Sequence, residues 1–197
     1  MDTRTPKTNR GFTLLEVMIA TAMLTAISLV LYEVNNSMVR AALHQESMTI
    51  LRDEARNSLM QMTRLVRMAD TTTIVTAAGA AIGVNPVNSI EFQPVEDTDG
   101  NGNAINEDFS VGLGAAVRFV IDTGDANGDG LTTTQLIEAD ENGAFVRILT
   151  SHLNPAGGVR FWRTNPGIQI SLVLLYPSGP LRPPAFVRVD QVVAVRN

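Results

Sequence analysis

The chain has 197 residues, 45% of them hydrophobic and 18% charged, with a formal net charge of −5. That length allows one domain with a substantial core and an extension outside it. The acidic balance offers no basic face, so nucleic acid is not expected as a direct partner. The absence of cysteine excludes disulfides, thiolate metal sites and cysteine nucleophiles.

Charge is unevenly distributed. Residues 1–11 carry Arg4, Lys7 and Arg10 against Asp2, whereas the remainder has 12 Arg against 19 acidic residues, a net of −7. A basic leader ahead of an apolar run is a membrane-targeting arrangement. The run is FTLLEVMIATAMLTAISLVLY, Phe12 to Tyr32, which as a helix spans about 30 Å, enough to cross a bilayer core. The flanking charges predict a cytoplasmic N-terminus and an exported body. Glu16 interrupts the run, and a carboxylate in hydrocarbon needs a partner or a function. No basic residue follows within two helical turns. Cutting after Gly11 creates a positive α-amino group on Phe12, which Glu16 can neutralise in its own chain or a neighbouring copy.

The stretch Gly11-Phe12-Thr13-Leu14-Leu15-Glu16, behind a short basic leader and ahead of an apolar helix, resembles the class III processing site of type IV pilins and type II secretion pseudopilins. The resemblance implies cleavage after Gly11 and N-methylation of Phe12 by a prepilin peptidase/N-methyltransferase, with Phe12 and Glu16 serving assembly. Two plainer readings compete. A Sec signal peptide could be cut after Ala20-Thr21-Ala22, but Glu16 then sits inside its apolar core and the apolar run continues beyond the cut. An ordinary single-pass anchor explains the span but not the Gly-Phe and Glu16 arrangement.

From Phe12 to Ala78 there is neither Gly nor Pro, which predicts one long helix. Val39, Leu43, Ile50, Leu51, Ala55, Leu59, Met62, Leu65 and Val66 make an apolar stripe. Arg40, Glu46, Arg52, Asp53, Glu54, Arg56, Arg64 and Arg67 make a face assigned to solvent. The β-branched run Thr71 to Val75 is expected to end the helix near Asp70, giving a rod of about 87 Å whose first half is buried in a bilayer or among other copies. Residues Leu51 to Ala69 also resemble the second helical half of minor pilins of the W type and pseudopilins of the J type.

Beyond Ala81 lie 13 of 15 glycines and eight of nine prolines, so strands and loops replace helix. Candidate strands are 89–94, 115–121, 134–139, 144–150, 159–163, 168–176 and 185–195. Glu141-Asn142-Gly143 signals a tight turn, and an antiparallel meander is expected, with one face of the last strand on the helix. The predicted plan is α+β, pilin-like, with a leader at 1–11, a transmembrane or filament-core helix at 12–32, its extracytoplasmic half at 33–70 and a β-rich domain at 71–197.

Two loops carry acidic and Asn side chains at calcium-like spacing. In the first, Asp97, Asp99, Asn101, Asn103 and Asp108 surround Gly102 at the sixth position of an EF-hand-like loop. In the second, Asp125, Asn127 and Asp129 repeat the start, but position twelve is Leu136, leaving Asp122 or Glu138 to close it. The alternative is that these residues simply make turns. Calcium, if bound, is structural, and no cofactor is otherwise required.

No catalytic constellation is evident. His44 and His152 have no metal or triad spacing and are expected at the surface or at a partner contact. Gly112-Leu113-Gly114 is too short for a phosphate loop, and Trp162 is expected in the core. The resemblance implies a non-enzymatic minor pilin or pseudopilin of the inner membrane, helping to initiate or cap a filament with other pilins. The alternative is a membrane-anchored extracytoplasmic binding module, an adhesin or DNA-uptake subunit.

Overall fold

The computed structural model describes residues 12–106, 108, 110–165 and 167–195. One helix, α1, runs without interruption over Leu14–Met68. It ends one turn short of the β-branched run because Ala69 bridges Pro94 and the Asp70 amide bonds the Gln93 carbonyl. Asp70 then accepts the Thr72 amide, closing a turn that helix continuation would forbid. Arg67 in the last turn meets the negative end of the helix dipole.

The chain divides into two compact units, Met1–Leu43 and His44–Asn197. In the first, every residue from Phe12 to Asn35 is exposed. An 18-residue window there reaches a mean hydropathy of 2.2 with none of it buried. Three of its hydroxyls are satisfied within the helix: Thr21 donates to the Val17 or Met18 carbonyl, Thr25 to Thr21 and Ser28 to Leu24. Internal satisfaction of polar groups is what a hydrocarbon surrounding demands.

In the second unit α1 buries Ser47, Leu51, Ala55, Ser58, Leu59, Met62, Thr63 and Val66 at steps of three and four. Ile50, expected on this stripe, lies off it and is exposed. The stripe covers two antiparallel sheets. The first has the order β1-β2-β3-β4, formed by Ile90–Phe92, Val117–Ile121, Leu136–Ala139 and Phe145–Thr150. The second has the order β5-β6-β7, formed by Val159–Arg163, Gly167–Tyr176 and Ala185–Ala194.

All seven expected strands therefore exist, but the single meander does not. The break follows β4, where residues 152–154 cross between sheets: Leu153 donates to Thr134 and bridges Leu174, while Asn154 donates to Val173. The β6–β7 pair is the most regular, ten residues in register from Gly167↔Ala194 to Tyr176↔Ala185. Gly167 is required there, since a Cβ would lie 1.9 Å from the Val193 carbonyl oxygen. Phe92, Phe119 and Phe161 link the sheets, with ring centroids 5.3 Å apart edge-on and 6.4 Å apart stacked. Phe161, not Trp162, supplies the core aromatic of β5, and Trp162 remains half-exposed.

Glu54 departs from the solvated face assigned to it. Its carboxylate accepts the Thr150 hydroxyl, the Ser151 amide and an interaction with His152 Nδ1, each at 2.6 Å. His152 stacks on Tyr176 at 5.1 Å, so it is a packed residue rather than a free surface one. Glu54 thus ties α1 to the segment that joins the sheets. Burial opposes its ionisation, but the donors from Thr150, Ser151 and His152 outweigh burial and hold the carboxyl below its ordinary value of 4.5. A carboxyl lowered in the folded state adds stability that is complete above 4.5 and is lost as pH falls through the folded value. Glu54→Ala should therefore cost about 2 kcal/mol at pH 7, the scale of lost charge-assisted bonds, and its Tm should fall less than wild type's when pH drops from 5 to 3. Parallel slopes in thermal melts would assign the acid sensitivity elsewhere.

Candidate functional site

The start of α1 is built from Thr13 and Glu16. The Thr13 amide donates to Glu16 Oε2 at 2.9 Å, the Thr13 hydroxyl donates to the same oxygen at 3.1 Å, and the Glu16 amide donates to Thr13 Oγ1 at 3.2 Å. This is a reciprocal capping box, with Thr13 as N-cap and Glu16 three residues later. It also sets a negative charge at the positive end of the helix dipole. Glu16 therefore has local partners, a hydroxyl and an amide, without the positive charge that cleavage would supply. The signal was present in the sequence as Thr-x-x-Glu ahead of an apolar run.

Both contacts fall on Oε2, so Oε1 accepts no hydrogen bond among the described residues. Phe12 precedes the box and is 88% exposed. Phe12, Glu16, Val17, Ala20, Thr21 and Leu24 line one side of the helix around a shallow groove of about 370 Å³. The geometry combines an exposed apolar face with one carboxylate at its entrance. Gly11, on which the cleavage assignment falls, lies outside the described residues.

The two calcium-like loops share one construction. Asp97 Oδ2 accepts the Gly102 amide at 2.7 Å, and Asp125 Oδ1 accepts the Gly130 amide at 3.0 Å, both five residues on. Glycines four and six of each loop take left-handed backbone, with φ of 76° and 80° at Gly100 and Gly102 and 75° and 80° at Gly128 and Gly130. The Gly102 amide holds the Asp97 carboxyl below its ordinary value, the Leu131 amide does so for Asp129, and the Ser110 hydroxyl for Asp108.

Much of the ligand set is engaged internally. Asp99 accepts the Asn101 side-chain amide, Asn101 the Asn103 amide, Asn103 the Ile105 amide, and Asp108 the Ser110 amide and hydroxyl. In the second loop, Asn127 bonds Asp129 and Gln135, and Gln135 donates to Asp129 at 2.6 Å. The buried Gln135, not singled out in the sequence, anchors that loop. Glu138 pairs with Arg147 across β3 and β4 and Asp122 accepts the Gly124 and Ala126 amides, so both suggested closing ligands have other partners. Among the described residues no three of His, Asp and Glu converge as a metal-binding group.

Residues 6–32 match the family described as the prokaryotic N-terminal methylation motif. The match covers the second half of the basic leader, the Gly-Phe pair, the capping box and the apolar part of α1 up to Tyr32, and it supports a prepilin-type, membrane-anchored chain. No curated protein and no solved structure matches the chain.

The capping geometry separates two substitutions at one position. Glu16→Gln keeps an acceptor for the Thr13 amide, whereas Glu16→Leu removes it. Hydrogen exchange of the uncleaved chain in detergent should be roughly fivefold faster at the Thr13 amide in the Leu variant, matching the ~1 kcal/mol scale of a lost cap, and near wild type in the Gln variant. Equal rates in all three proteins would remove the capping role.

Proposed function

We propose that this chain is the precursor of a type IV pilin-like subunit, a minor pilin or pseudopilin whose function is assembly rather than catalysis. The observation that carries the proposal is the methylation motif at 6–32 lying over a fully exposed apolar helix that begins with a capping box. In this reading residues 1–11 are a leader removed after Gly11 by a prepilin peptidase, which N-methylates Phe12. Residues 12–32 cross the inner membrane with the N-terminus cytoplasmic and later pack among other pilins or pseudopilins. Residues 33–70 continue the helix outside and residues 71–197 form the extracytoplasmic body. The likeness of Leu51 to Ala69 to minor subunits of the W and J types supports a place at the initiating or capping end.

The capping box sharpens the role of Glu16. One carboxylate oxygen organises the first turn of its own helix, which leaves Oε1 to accept the new Phe12 amine of an adjacent subunit. A paired charge of this kind is tolerated in an apolar bundle where a lone one is not. Gly11→Val should block leader removal and leave a heavier form confined to the membrane. Glu16→Leu should be inserted and cleaved yet be depleted about tenfold from sheared filaments, with Glu16→Gln intermediate. N-terminal sequencing and immunoblots of membrane and sheared fractions read these outcomes. A mature chain beginning at Met23, or normal filaments from the Leu variant, would contradict the processing and pairing arguments respectively.

Structural calcium is proposed at the first loop, with Asp97, Asp99, Asn101, Asn103 and Asp108 as its donors, and more weakly supported at Asp125, Asn127 and Asp129. Its support is the common construction of the two loops and the lowered carboxyls of Asp97 and Asp108. An ion that binds only the folded chain at a thousand times its Kd adds about 4 kcal/mol, so chelator should lower Tm of the full chain in detergent by roughly 10 °C. Unchanged melting and no heat of calcium binding would return both loops to turns.

A further inference from the structure

A second surface, away from the helix start, is basic, although the acidic balance of the sequence suggested no basic face. Arg52, Arg56, Arg64 and Arg67 on α1, with Leu59, Met60, Thr63 and the β7 residues Val189 and Gln191, line a groove of about 710 Å³. Arg118, Arg147, Arg182 and Arg188 each pair with a carboxylate. The four groove arginines have no ion pair among the described residues and are all exposed. Four exposed guanidinium groups along about 22 Å of one helix make a locally positive strip that an anionic partner would complement. The surface between them is not polar, since Met60 is 63% exposed there. β7 is also the outer strand of its sheet, so the groove is open on that side.

The matching surface is on the same chain. Residues 95–113 fold back on themselves through the bridges Val95↔Leu113 and Ile105↔Val111 and the bonds of Glu96 to Gly112 and of Asn106 to Ser110. Their sequence between Glu96 and Asp108 holds five acidic residues and no basic one. Glu96, Asp97, Asp99 and Asp108 are exposed, as are the apolar Ile105, Val111 and Leu113. The base of this segment is held at the end of α1, where the Val95 amide donates to the Met68 carbonyl at 2.6 Å. None of its carboxylates reaches a groove arginine in the same chain among the described residues.

We infer that the arginine groove of one copy receives the acidic 95–113 segment of a second copy. Charge and apolar area are complementary, and each copy carries both halves of the contact. The two halves are different surfaces, so the contact is heterologous and leaves one groove and one acidic segment free at opposite ends of any pair. Such a contact propagates. It deepens the assembly reading and rests on it. Calcium on the segment would leave three of its five negative charges, so attraction survives metal binding.

Because the chain has no native cysteine, single introduced thiols report the contact cleanly. Met60→Cys and Val111→Cys copies carrying different tags are produced in one membrane and oxidised, with an Ala20→Cys pair as a separate report on helix packing. The expected result is a Met60→Cys to Val111→Cys crosslink at 0.05 M salt that falls about fivefold at 0.5 M, where the Debye length shrinks below half. Arg56→Glu with Arg64→Glu in the first copy should abolish it, and Glu96→Arg in the second, which spares the proposed calcium donors and the carboxylates that hold the loop, should restore part of it. No crosslink, or one indifferent to these reversals, overturns the contact and leaves the groove to a different anionic partner. If Ala20→Cys still crosslinks in that case, helix-driven assembly stands without it. If neither pair crosslinks, both are overturned.

Discussion

One uninterrupted hydrogen-bonded ladder through Leu14–Met68 is the constraint on which the rest of the structure depends. With no Gly or Pro to break it, the same backbone has to suit two different surroundings in succession. Its first stretch answers by being largely apolar around its circumference and by returning the Thr21, Thr25 and Ser28 hydroxyls to its own carbonyls. Its last stretch answers by sorting residues into a narrow buried stripe and an exposed charged face. The small Ser47, Ala55 and Ser58 in that stripe let the strands come close, and the Ser58 hydroxyl lies within bonding reach of the Leu149 carbonyl on β4.

Both sheets depend on this stripe because neither is large enough to stand alone. A four-stranded and a three-stranded sheet share one core, with Phe119 between Phe92 and Phe161 and the 152–154 crossing stitched to both. Glu54 is the polar counterpart of that packing. It fixes α1 to the crossing itself, so the helix, the end of β4 and the start of the second sheet are held by one carboxylate. The Tyr176 ring carries this further, with His152 stacked on it and the Arg182 guanidinium 4.9 Å from its centroid while pairing with Glu46 on α1.

The features legible in sequence were those written in local order. The basic leader, the apolar run, the absence of helix breakers and the strand lengths are properties of contiguous residues, and β5 was placed to the residue. Partner choice is not local. Nothing in residues 144–176 states that the chain leaves one sheet after β4, because the switch is decided by Leu153 finding Thr134 on one side and Leu174 on the other. Glu54 and His152 were misread for a related reason: charge predicts exposure on average, and only the fold brings donors 96 to 98 residues away to one carboxylate. The Thr13–Glu16 box is legible as Thr-x-x-Glu, with a hydroxyl and an amide meeting the carboxylate where an opposite charge is absent. At the calcium-like loops the glycine positions were read correctly, while the internal bonds that occupy much of the ligand set, Gln135 above all, depend on tertiary placement.

The hydroxyls of Thr21, Thr25 and Ser28 stand at i, i+4 and i+7, along one side of the apolar helix. Each carbonyl they use is also the acceptor for a backbone amide, so the ladder is shared and slightly slackened along that side alone. The stiffness of this segment is therefore directional: bending in the plane of those three residues opens bonds that already have a substitute donor, and bending across it does not. A helix with one soft plane takes up curvature as a leaf spring does, in a direction fixed by its sequence, without needing a Gly or Pro hinge.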